Sequence, residues 1–341
     1  MISPLSNPAI QTAAKHLQGI LSDCFHHDNT QNAVVVYDEQ SSLSQTLVAA
    51  YRIILPQAQF ILFDEFTPDE ILQNFTKLKP KDLVVLIQSN NFRLHAFRLR
   101  VELFNMKLKA LEHAHLNRME NQGALWYIES LAYDSKRFRG LGHSLKGLID
   151  SSKSALIQCG NENLIFDTSF EPAKLNIGDY TGMANMGGLY PIGEVFTEAV
   201  NLSAVNGSFK IFAFADLTFS VNTPPHPITV FVNGGLVQST ANSTPDFDAV
   251  LASIKQDEGE IWLREVGFGI NSAFTRARIV VDVGTYERMN GLHFSLGSKH
   301  AVYSKPQFSR HRTKHHVDIF VDFDRISLDG RDIWKNQDWV V

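Results

Sequence analysis

Cysteine is scarce: Cys24 and Cys159 are the two in 341 residues. That excludes a disulfide framework and a cysteine-built zinc site. Positive charge is not in excess either. Lys and Arg number 31 against 36 Asp and Glu, for a net charge of −5, which gives no field for gathering nucleic acid or anionic lipid. No apolar run approaches the ~20 residues that cross a bilayer. The start, Met1-Ile2-Ser3-Pro4-Leu5, has no basic patch followed by an apolar core, so no signal peptide is read and a cytoplasmic protein is expected. The phosphate-cradling loops G-x-G-x-x-G and Walker A are also missing. What remains is an ordinary globular composition, 44% hydrophobic and 20% charged, long enough for about two domains at ~150 residues each.

The first third alternates strand and helix signals. Ala33-Val34-Val35-Val36-Tyr37 is a β-branched run suited to a strand buried on both faces. Ser41 to Leu55 has apolar residues at Leu43, Leu47, Ala50 and Ile54, a helical spacing ended by Pro56. Phe60–Phe63 and Asp82–Ile87 are further strands, and between them Thr67-Pro68-Asp69-Glu70 is a capped helix start. Strands linked by helices predict a parallel three-layer α/β lobe with a structural or dimerising role. Residues 95 to 155 read as a largely helical bridge. From about Ser154 glycine becomes frequent and short strands at 156–159, 164–166, 210–214 and 228–232 alternate with turns such as Asn206-Gly207 and Asn233-Gly234. One helix, 246–255, interrupts them. The expected division is an α/β lobe over 1–150 and an α+β catalytic domain over 151–341.

Five of the 13 histidines fall between His293 and His316. In Lys314-His315-His316-Val317-Asp318-Ile319-Phe320-Val321-Asp322-Phe323, strand alternation sends Val317, Ile319, Val321 and Phe323 to one face. His316, Asp318 and Asp322 go to the other. An imidazole and a carboxylate at i and i+2 can meet on one metal ion, or simply hydrogen-bond. His293 stands likewise opposite Leu292, Phe294 and Leu296. The preceding run Arg310-His311-Arg312-Thr313-Lys314 reads as a solvated loop. Glu194 and Glu265 each sit among apolar residues and glycine, where an unpaired carboxylate is costly. A salt bridge, to Arg264 or Arg278 for example, and a shared cation are both solutions.

From Ser154 onward the chain resembles the catalytic domain of the aminopeptidase T (thermophilic aminopeptidase) metallopeptidases. The resemblance lies in Gly193-Glu194-Val195-Phe196 preceded by Pro191, in Glu265-Val266-Gly267-Phe268-Gly269-Ile270-Asn271, and in His293-Phe294-Ser295-Leu296-Gly297. The strand His316-Val317-Asp318 and the turn Leu328-Asp329-Gly330 follow in the family's order. It implies that Glu194, Glu265, His293, His316 and Asp318 ligate two divalent metal ions, with Zn, Co or Mn suited to the mixed donors. It implies an aminopeptidase acting on short peptides through a metal-activated water, and a homodimer. The family's tyrosine seven residues after the first His ligand is replaced here by His300, with Tyr303 three residues later. These two are the candidate hydrogen-bond donors to the reacting carbonyl. Arg264 stands where the family has a small residue, and His315 is an extra imidazole. Ring-cleaving dioxygenases of the dihydroxypyridine type resemble the same family, and His293, His316 and Asp318 would suffice for their single Fe(II). A non-catalytic metal-binding relative is the third reading.

Overall fold

The computed structural model describes residues 3–94, 97–308 and 313–341, with the side chains of 93, 94, 97 and 98 left aside. The expected loop at Arg310–Arg312 lies outside the described residues. Among the described residues, no helix is long and apolar enough to cross a membrane. The chain forms two compact units, Met1–Ser135 with Gly178–Ile192, and Lys136–Ile177 with Gly193–Val341. The expected boundary near 150 thus falls inside the second unit, at the end of the helix Ser135–Ser151.

In the first unit, five parallel strands run across the sheet in the order Gly187–Tyr190, Lys109–His113, Leu83–Ile87, Ala33–Tyr37, Gln59–Leu62. The three predicted strands are there because uninterrupted Val, Ile and Leu can be buried on both faces; every residue of Leu83–Ile87 is buried. The two helix starts also form as read. Ser41 and Thr67 each cap their helix, and Ser44 and Glu70 return the bond to the cap's N–H. The expected helical bridge needs correcting. It contains the strand Lys109–His113, which the polar Lys109, Glu112 and His113 disguise. Lys109 is nonetheless buried, its Nζ held by Gln31 Oε1 at 2.8 Å.

A buried polar chain crosses the C-terminal end of this sheet. Tyr127 donates its hydroxyl to Tyr190 O at 3.0 Å, so its oxygen accepts from His113 Nδ1 at 2.8 Å. Tyr51 then donates to His113 Nε2 at 2.9 Å. Both ring nitrogens are satisfied in the neutral form, and burial pushes His113 down from 6.5 to about 3. The unfolded chain therefore binds this proton first. The stability His113 contributes is complete above pH 6.5 and is lost as pH falls from there towards 3, at about 1.4 kcal/mol per pH unit. The urea midpoint is expected to drop more steeply between pH 6 and 4 in the wild type than in His113→Phe, and equal slopes would refute this.

The second unit is built on a large antiparallel sheet. Five consecutive neighbours in it are Val205–Ala215, Val317–Val321, Gly291–Leu296, Leu263–Gly269 and Glu194–Glu198. Leu292, Phe294 and Leu296 are fully buried, as is Ile319, so one face of these strands is committed to the core. The alternation then obliges His293 and Asp318 onto the other face.

Candidate metal centre

Four adjacent strands bring Glu194, Glu265, His293 and Asp318 together, and His316 joins from the residue just before its strand. Cross-strand register does the alignment: Glu194 opposes Gly269, His293 opposes Gly267, and Asp318 opposes Ser295 beside His293's own pairing with Phe320. His293 Nε2 lies 3.2 Å from Glu194 Oε1 and 3.7 Å from Glu265 Oε1. His316 Nε2 lies 3.2 Å from Asp318 Oδ1 and 3.9 Å from Glu265 Oε1. These atoms form two overlapping sets, Glu194/Glu265/His293 and Glu265/His316/Asp318, within each of which the donors lie within 4.8 Å of one another. Glu265 belongs to both.

Two observations fit a cation here. Among the described residues, the buried atoms His293 Nε2 and Asp318 Oδ1 make no aligned hydrogen bond although Glu194 and His316 stand 3.2 Å from them, an expensive state for polar groups cut off from water. His316 Nδ1 donates to Lys299 O at 3.1 Å, which turns Nε2 towards Asp318 and Glu265, the arrangement that orients metal-ligating imidazoles. The titration of the cluster shows the same crowding of acid and imidazole. Burial alone would raise Glu265, but the imidazoles of His293 and His300 and the charge of His316 hold it well below the carboxylate range. Burial alone would lower His316, yet Asp318 and Glu265 lift it to about 10.

Gly267 is needed where it stands. A Cβ there would overlap the His293 imidazole, which lies across the strand. Gly267→Ala is expected to push that ring aside and weaken binding of Zn to metal-stripped protein by roughly 10- to 100-fold, the cost typical of disturbing a ligand's support. Zn titration of the variant checks it, and unchanged affinity would count against His293 as a donor.

The chain shares its fold with a solved protein. That structure is the wild-type AmpT from Thermus thermophilus, matched with a TM-score of 0.59 and 10% identity over 97% of this chain and 99% of that one. At such low identity the likeness is one of fold alone. No protein-family model matches the sequence, and no curated protein does.

The remaining predicted residues divide. His300 belongs with the cluster: its Nε2 is 2.9 Å from Glu265 Oε2, and its side chain is 2% exposed. Tyr303 does not offer its hydroxyl there. That group donates to Pro172 O at 2.8 Å, and the ring packs against His300 at 4.9 Å, so Tyr303 supports His300. His315 pairs with Asp257 at 2.7 Å, outside the cluster. Asp322 lies beyond the end of its strand and pairs with Arg276. Arg264 bonds Glu198 and the carbonyls of Ser298 and Tyr303 instead of Glu194 or Glu265.

Two residues escaped the sequence reading. Glu287, with His293 and Asp318, makes a third donor set; burial pushes it up to about 8, against the charge of Arg288. Arg288 itself pairs with Glu194 Oε2 at 2.7 Å and also contacts Glu287. They follow the one-turn helix Val283–Tyr286, whose N-cap Asp282 accepts from Thr285 N at 3.0 Å. The only sequence signal was a carboxylate and a guanidinium standing six and five positions before His293.

Proposed function

We propose that this protein is a metal-dependent aminopeptidase that releases N-terminal residues from short peptides. Glu194, Glu265, His293, His316 and Asp318 are its ligands for two divalent ions, with Zn, Co or Mn suited to the donors. The observation that carries the reading is the pair of three-donor sets sharing Glu265. The order of the sequence motifs and the shared fold with AmpT support it.

When bound, such ions acidify a water and polarise the scissile carbonyl. The chain's own groups do the rest. Glu265 lies between the two sets and holds them at a fixed spacing. Lys299 O fixes the imidazole of His316. His300 occupies the position of the family's tyrosine and is braced by the Tyr303 ring. Val302 N donates to His300 Nδ1 at 3.1 Å, so the ring's proton is on Nε2, which directs it at Glu265 Oε2, the carboxylate that both donor sets share. A cavity of about 280 Å³ opens beside it, bordered by Ser298, Ala301, Val302 and Ser304.

A single Fe(II) held by two histidines and a carboxylate is less favoured. Among the described residues no donor set contains both His293 and His316. Elemental analysis of the purified protein, together with a dipeptide panel, tests the proposal. Absence of both metal and hydrolysis, even after addition of Zn, Co or Mn, would overturn it. Bound metal without turnover of any peptide would make the protein a non-catalytic relative, and oxygen uptake on a dihydroxylated N-heterocycle with Fe(II) would make it a dioxygenase. His300→Tyr is expected to keep or raise peptide turnover, because a phenol can replace the imidazole as donor. Total loss with metal still bound would give the imidazole a role of its own.

A further inference from the structure

We infer that the two ion positions are unequal: the position of Glu265, His316 and Asp318 holds its ion tightly, and that of Glu194, Glu265 and His293 fills only at higher free metal, because Arg288 already neutralises Glu194. The inference rests on the proposed metal centre and deepens it. Arg288 Nη1 is 2.7 Å from Glu194 Oε2 and touches Glu287 as well, with side-chain exposures of 6% for Arg288 and 5% for Glu194. A guanidinium cannot shed its proton to make way for a cation. Nor can it leave, since an unpaired buried charge is strongly disfavoured. An ion entering beside Glu194 therefore meets a fixed positive charge on the far oxygen of one of its ligands. Nothing comparable guards the other position. Among the described residues, the basic side chain paired with Asp318 is His316, itself one of the three donors of that position and not a fixed guanidinium beside it. The His316 side chain is also 29% exposed, so this position has access to solvent. Glu287 does not offset the effect, because the same guanidinium contacts it.

The test is equilibrium dialysis of the full-length, chelator-stripped protein against Zn, with bound metal counted by elemental analysis and folding followed by circular dichroism. The wild type is expected to fill in two steps at least tenfold apart in Kd. Asp318→Asn should abolish the tight step, Glu194→Gln the weak one alone, and Arg288→Gln should bring the steps together by tenfold or more. A single ion in the wild type that depends on Asp318 and not on Glu194 also supports the inference. Two equal steps, a tight step lost in Glu194→Gln, or an unchanged gap in a folded Arg288→Gln would overturn it while leaving the metal centre standing. If Arg288→Gln does not fold, the wild-type spacing and the Glu194→Gln assignment decide. No bound metal in any protein would overturn the metal centre and this inference together.

Discussion

Glu265→Gln is expected to leave the fold in place, strip the protein of bound metal and lower peptide hydrolysis by about 10³-fold or more. Glutamine keeps the shape of the side chain but loses the charge that both donor sets share. Each position would then hold an ion with one charged carboxylate and one imidazole. A loss of several kcal/mol in charge stabilisation corresponds to about three orders of magnitude. The side chain is 9% exposed and lies on the face opposite the core residues of its strand, so its amide does not disturb the packing. Elemental analysis, a dipeptide assay and a thermal melt on the same preparation check the three parts. Full occupancy and full activity in a folded Glu265→Gln would remove Glu265 from the ligand set.

Arg264→Met is expected to cost about 3–5 kcal/mol of stability, the range for breaking a buried ion pair from one side. Arg264 and Glu198 pair through Nε, with exposures of 2% and 0%. The other guanidinium nitrogens bond the carbonyls of Ser298 and Tyr303, and the guanidinium stacks on Phe308 at 4.5 Å. Methionine would fill the volume but leave Glu198 with Lys305 alone, at 3.8 Å. It would also release both ends of the segment carrying His300. Urea unfolding measures the loss. The double variant Arg264→Met/Glu198→Met should regain a large part of it, because two apolar groups then replace two buried charges. A single variant within 1 kcal/mol of the wild type would show the pair to be dispensable.

Those two predictions draw on different kinds of legibility. Glu265 was readable as a candidate ligand from its place in a motif and from the cost of an unpaired carboxylate among apolar residues. Arg264 was visible only as an ambiguity, since strand alternation could not say whether it faced the cluster. A register shift between Leu263 and Val266 breaks the regular alternation there, and that local irregularity is not encoded in any short pattern. His300 and Tyr303 show the same limit. Both were candidates by position, but only the fold of the segment 298–305 brings one imidazole to 2.9 Å from Glu265 and ties the phenol to Pro172.

Residue order alone was enough for the strands and helices whose apolar residues repeat with one period, for the capped helix starts, and for the order of the five acidic and imidazole groups. Those properties are local, fixed by side-chain alternation and by hydrogen bonds spanning three or four residues. That Lys109–His113 and Gly187–Tyr190 extend the first sheet emerges from the folded arrangement. A polar strand is stabilised by its neighbours' backbone groups, and Gly187 is required because a Cβ would overlap the Ala110 carbonyl. The pairing of Arg288 with Glu194, and the placing of Glu287 among the candidate donors, emerge there too. Charges separated by some ninety residues interact through space at a few ångströms, and chain order carries no measure of that distance.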